Sequence, residues 1–184
     1  MRVFASVAEA HDWFDAQGAQ APGLSVRLAK KGAGFASITQ AQLVEVLLCH
    51  GWIDGRGNRL DDTSWTIRVT PRRPRSVWSA KNVATVAELT TAGRMRPAGL
   101  AAVEAAQADG RWDRAYAGPA TVTVPEDLAA ALAAEPRAAE AFAALSGANR
   151  YSVLWRVHTA ASAATRAKRV TDLVAMLAEG RTPH

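Results

Sequence analysis

The chain has 184 residues, 49% of them hydrophobic and 21% charged, a balance that excludes a disordered or fibrous protein. Its 22 basic and 17 acidic residues leave a net charge of +5, a modest excess that does not by itself require a nucleic-acid partner. One cysteine excludes an internal disulfide, and no run approaches the roughly 20 apolar residues that span a bilayer. Much of the apolar count is alanine, which favours helix but buries little surface, so the core is expected to rest on tryptophan, leucine and valine. The mixed N-terminal run, broken by Glu9, His11 and Asp12, lacks the apolar segment of a secretory signal, so the expected compartment is the cytoplasm.

Ser6 to Glu9 has the spacing of a capping box and opens a helix predicted over 7–17, with Trp13 and Phe14 as its apolar patch. Leu24, Val26 and Leu28 alternate with polar or small residues, the period of a half-buried strand. Lys30 to Gly34 turns the chain, and Phe35 to Ile38 is expected to return as a short partner strand. Thr39 to Gln42 forms a second capping box, flanked by Ile38 and Leu43 as a hydrophobic staple. The helix that follows carries Leu43 with Leu47 and Val44 with Leu48, and stops at Gly51.

Two glycines between Asp54 and Asn58 predict a tight turn. Trp65, Ile67 and Val69 then alternate with Thr66, Arg68 and Thr70 in a strand that Pro71 ends for lack of an amide hydrogen. Pro74 holds the loop from Arg72 to Val77 extended, and Ser79 is placed to cap a helix over 80–92 that Gly93 terminates. From Pro97 the pattern is helical almost throughout. Prolines 97, 125 and 136 stand at helix starts, Gly147 is expected to break one helix, and Asn149 to cap the next. The last helix shows Val170, Leu173, Val174 and Leu177 on one face. The fold class is therefore α+β: a small antiparallel sheet packed with helices over 1–118, then a mainly helical bundle over 119–184.

The chemistry readable in this order is sparse. Histidines 11, 50, 158 and 184 and Cys49 lie far apart in sequence without zinc-ligand spacing, and Asp54, Asn58, Asp61 and Asp62 do not follow the order of a calcium loop, so no metal and no cofactor is expected. No nucleophile elbow or dinucleotide fingerprint is present, and neighbouring Cys49 and His50 point about 100° apart on a helix, a poor dyad. The informative stretch is Pro71 to Ser79. It sets Arg72, Arg73 and Arg75 beside Ser76, Trp78 and Ser79 just ahead of a helix N-terminus, which suits a small anion or an acidic group of a partner. The plainer reading pairs these arginines with Asp54, Asp61 and Asp62 and buries Trp78.

Together with Gly51-Trp52-Ile53-Asp54-Gly55, the run from Thr70 to Ser79 with Asn82 resembles the YdeI/OmpD-associated, or bacteriocin-protection, family. The resemblance extends through Gly93 to Gly99, Gly110 to Tyr116, Val124 to Leu128 and Thr165 to Arg169, and departs at Ser25 and Ala161, where that family commonly has tryptophan and lysine. It implies no reaction, cofactor or catalytic residue. Its name points to tolerance of cationic peptides and to a porin, although a chain of net charge +5 repels a cationic peptide at long range. The function expected is a stress-related binding protein with an anion-accepting pocket formed by Trp52, Asp54, Arg72, Arg73, Arg75, Ser76, Trp78, Ser79 and Asn82. Two alternatives are an enzyme using Asp54 as acid or base in the same cleft and a weak nucleic-acid binder, the latter without a readable motif.

Overall fold

A computed structural model describes residues 1–183; His184 lies outside the described residues. The chain divides into two compact units: Met1–Ser76 with Asn82–Asp113, and Val77–Lys81 with Arg114–His184. The fold is α+β, as the alternating strands and capped helices of the sequence require.

The first unit is built on helices α1 (Val7–Gln17) and α2 (Gln40–Cys49) and strands β1 (Leu24–Ala29), β2 (Trp52–Arg59) and β3 (Ser64–Pro71). Its sheet is antiparallel in the order β1-β3-β2, with Val26 opposite Ile67 and Trp52 opposite Pro71. Because side chains alternate along a strand, this register puts Val26, Leu28, Ile67 and Val69 on one face. They are buried there with Phe4, Phe14, Leu43, Leu47 and Trp52. Both N-terminal caps form: Ser6 accepts from the Glu9 amide, and Thr39 and Gln42 complete a reciprocal capping box. The Glu9 carboxylate, however, reaches the amide of Ala5 rather than that of the cap residue.

Two expectations about this unit are corrected. Phe35 to Ile38 is not a strand. The Ala29 amide donates to the Ser37 hydroxyl and the Ile38 amide to the Phe4 carbonyl, so a side chain and the N-terminal segment satisfy groups that a return strand would have used. The segment Asp54 to Asn58 is not the hairpin turn but part of β2, interrupted by a bulge between Asp54 and Gly57. A glycine within a strand often marks such a bulge, and a Cβ on Gly57 would meet the Trp65 ring at 2.6 Å. The reversal falls at Leu60 to Thr63, where Asp61 bonds the Thr63 amide and the Thr63 and Ser64 hydroxyls at 2.7–2.9 Å.

Helices α3 (Ala80–Thr91) and α4 (Pro97–Ala108) follow, with Gly93 at φ +65° ending the first. Gly99 lets α4 lie directly on the end of α2: a Cβ there would stand 2.2 Å from the Cys49 carbonyl oxygen. The Arg96 amide donates to that same oxygen at 3.1 Å.

The second unit contains helices α5 (Glu126–Ala133), α6 (Pro136–Ala143), α7 (Gly147–His158) and α8 (Ala163–Ala178) around Leu128, Phe142, Val153, Val157, Leu173 and Leu177. Gly147 begins α7 instead of breaking α6, and the cap is Ser146, whose hydroxyl accepts from the Asn149 amide. Serine is as good a cap as asparagine, and its position three residues before Asn149 supplies the bond. Ser162 caps α8 in the same way.

Candidate functional site

The arginine segment forms a turn fixed by its own backbone. The Ser76 amide donates to the Arg73 carbonyl at 2.9 Å, and the Arg73 amide donates to the Ser76 hydroxyl at 3.0 Å. Arg111 clamps it, donating to the Ser76 carbonyl at 2.9 Å while its Nε binds Asp109. Upstream, the Arg72 amide bonds the Gly51 carbonyl at 2.9 Å, so the sheet register brings the Gly51–Trp52 corner and the start of the turn together. Arg73 and Arg75 are exposed, Arg72 and Ser76 half-buried.

The carboxylates offered as partners for these arginines are engaged elsewhere. Asp61 pairs with Arg27 at 3.0 Å, and Asp62 with Arg59. The hydroxyls and the Thr63 amide, with Arg27 beside them, hold the Asp61 carboxyl well below the usual carboxylate range. Asp54 stands in β2 opposite Val69, ahead of the bulge rather than at a turn.

The tryptophans are not pocket walls. Trp52 is 3% exposed and packs its edge against Phe14, 5.0 Å between centroids, and against Trp13 at 6.3 Å. Trp78 is 1% exposed. A large apolar ring gains more from full burial than from lining an open site, which overrides its nearness in sequence to arginine. Trp78 and Ser79 also belong to the second unit, whereas Trp52, Asp54, Arg72, Arg73, Arg75, Ser76 and Asn82 belong to the first. Ser79 pairs with Tyr116 through a bridge in which the Ala80 amide donates to the Tyr116 carbonyl and the Tyr116 amide to the Trp78 carbonyl.

The first unit also assembles a polar cluster that spacing did not reveal. His11 Nδ1 lies 2.9 Å from His50 Nε2, and Asp15 Oδ1 is 3.7 Å from His50 Nδ1. Arg96 reaches Asp15 at 3.3 Å. The carboxylate favours a proton on His50 Nδ1, which leaves Nε2 to accept from His11. Burial, against Phe14 stacked at 5.3 Å, pulls the His50 pKa down to about 4, and burial with Arg96 and Arg94 lowers that of His11. The one available signal was the four-residue step from His11 to Asp15, which places both on one face of α1. Among the described residues no group of three or more His, Cys, Asp or Glu side chains is arranged to hold a metal ion. Cys49 is fully buried, and burial raises its thiol pKa, which keeps it protonated and inert.

In the second unit, Asp127 and Arg166 join two of the sequence blocks singled out above. Arg166 donates through Nε and a terminal nitrogen to the two Asp127 oxygens at 2.6 and 2.8 Å. Between α7 and α8 lies an open groove of about 720 Å³ lined by Trp155, Arg156, Arg169, Asp172, Leu173 and Met176, among others. Arg169 donates to the Arg156 carbonyl at 2.5 Å at the end of α7.

Residues 2–102 match the family model described as a domain of unknown function, DUF8412, and residues 121–180 match the model described as Bacteriocin-protection, YdeI or OmpD-Associated. The blocks at Gly51 to Gly55, Thr70 to Asn82 and Gly93 to Gly99 fall in the first match, and those at Val124 to Leu128 and Thr165 to Arg169 in the second. No curated protein and no solved structure matches the chain. Among the described residues no helix is long and apolar enough to cross a membrane. Residues 121–180 are thus similar to the YdeI or OmpD-associated, bacteriocin-protection model, and, with the first match covering more than half of its length, the chain belongs to the DUF8412 family.

Proposed function

We infer that the chain is a binding protein which uses the Arg72 to Ser76 turn to engage a small anion or an acidic group on a partner. The observation that carries this reading is that Arg73 and Arg75 project from a hydrogen-bonded turn with no carboxylate within ion-pair distance among the described residues. A guanidinium presents a planar fork that matches a planar anion through two parallel bonds, and two of them on one turn add their charge at the same place. Asp54 is half-buried in β2 opposite Val69, with no catalytic partner assigned to it, so the catalytic alternative has less support. On this reading the protein works in the cytoplasm in a stress-related role, consistent with its lone thiol being buried and unpaired with another cysteine.

Calorimetric titration with phosphate, nucleotides, dicarboxylates and acidic peptides tests the proposal. The expected result is saturable binding of at least one anion that weakens about tenfold or more in the Arg73→Ala/Arg75→Ala double variant, the effect of losing charge-assisted bonds. Absence of binding by every anion, or equal binding by the double variant, refutes it.

A further inference from the structure

The groove between α7 and α8 is lined wholly by residues of the second unit, whereas the arginine turn belongs to the first. Its volume of about 720 Å³ falls inside the ordinary range for small-molecule sites, roughly 300–1,000 Å³. Leu173 is buried at its base, Met176 is half-buried, and Trp155 keeps 36% of its surface exposed. An indole this open is one of few large apolar side chains left to solvent among the described residues, and it is held in place edge-on by Tyr116 at 6.0 Å. An ordered, exposed indole beside a thioether gives an apolar platform.

The charges around that platform are unequal in their commitments. Asp172 is bound by Lys168 at 2.8 Å, Arg181 by Glu179, and Arg169 by the carbonyl of Arg156 and the hydroxyl of Thr159. Arg156 sits next to Trp155, half-buried, and no carboxylate lies within ion-pair distance of its guanidinium among the described residues. Arg169, fixed in place, adds positive potential at the same wall. A flat apolar surface ending in an uncommitted guanidinium is complementary to a flat apolar body ending in a carboxylate, which the planar fork can bind through two parallel bonds.

We propose that this groove binds a small carboxylate with an aromatic or aliphatic body, which stacks on Trp155 and lies over Leu173 and Met176 while its carboxylate meets Arg156. The proposal does not rest on the arginine turn of the first unit. The open shape suits reversible capture of a soluble acid rather than burial of a cofactor.

Three probes separate the parts of this claim: 2-naphthoate, 2-naphthalenemethanol as the uncharged equivalent, and acetate as the charge without the body. Calorimetry should show saturable binding of naphthoate, with the alcohol and acetate each about tenfold or more weaker, as expected for loss of a charge-assisted pair or of the apolar burial. Arg156→Ala should weaken naphthoate by a similar factor, while the Arg73→Ala/Arg75→Ala variant should bind it like the wild type. Equal affinity for acid and alcohol, no saturation, or an unchanged Arg156→Ala variant overturns the proposal. Should Arg156→Ala fail to fold, the indole N–H resonance of Trp155 in the wild type decides: it shifts on titration if the groove is occupied and stays put if it is not.

Discussion

His11 lies in α1 and His50 caps the C-terminal end of α2, yet their ring nitrogens meet at 2.9 Å beside the Asp15 carboxylate. This contact ties the middle of α1 to the end of α2 at the point where Phe14 and Trp52 enter the core. It also makes folding sensitive to acid.

The His50 pKa falls from 6.5 unfolded to about 4 folded, so the unfolded chain binds more protons between those values. Stability therefore rises with pH through that window, is fully present above it, and is lost as pH falls toward 4. The shift corresponds to a loss on the order of 3 kcal/mol. Urea midpoints measured from pH 7.5 to 4 should fall steeply in the wild type and far less in His50→Gln.

Gly99 is required for its size. Alanine there would drive a methyl group into the Cys49 carbonyl, with the Leu48 carbonyl also within 2.7 Å, and neither backbone atom can move without shifting α2. We expect Gly99→Ala to cost about 3 kcal/mol, at the upper end of overpacking effects. Gly93→Ala, with open space but φ +65°, should cost about 1–2 kcal/mol from backbone strain alone. Denaturant titration of both variants distinguishes steric from conformational demand.

Asp61 organises the turn between β2 and β3 through its bonds to Thr63 and Ser64 and its pairing with Arg27. Its carboxyl is held below the ordinary range, so it contributes stability above the unfolded pKa of 3.8 that disappears as pH drops through the folded value. Asp61→Ala should lower the denaturation midpoint and strip the Thr63 amide of its protection in hydrogen exchange, while the exchange of α8 amides stays unchanged.

The Asp127–Arg166 pair depends on a planar fork, because both carboxylate oxygens are used. Lysine can occupy one oxygen at a time, so Arg166→Lys should behave nearly like Arg166→Ala. Both sides are partly exposed, at 34% and 42%, which limits the loss to about 0.5–1 kcal/mol. A double-mutant cycle with Asp127→Asn measures it.

Helices were legible because their signals are local. Ser6, Thr39 and Pro97, with glycines at 51 and 93, fix ends through bonds or angles a few residues away. The Trp65–Val69 alternation likewise identified β3. What failed depended on distant partners. Glycines 55 and 57 read as a turn because the strand that pairs across the bulge is invisible from their own neighbourhood. Phe35 to Ile38 read as a strand because nothing local shows that Ser37 and Phe4 take over the bonding. The same limit applies to the candidate site. The segment from Arg72 to Val77 read as an extended loop from its prolines, whereas the Ser76-to-Arg73 hydrogen bond folds it into a turn, and the burial of Trp52 and Trp78 is decided by residues far away in sequence. The histidine pair was hidden for the same reason: its members are 39 residues apart.

Strand β2 is at the rim of the sheet, and its irregular middle now takes on another meaning. A straight outer strand offers a ladder onto which a second molecule can zip, the first step toward fibrils. Here the kink between Asp54 and Gly57 throws that ladder out of step, and Arg56 and Arg59 project beside it as exposed cations. A broken, charged rim of this kind disfavours edge-to-edge pairing.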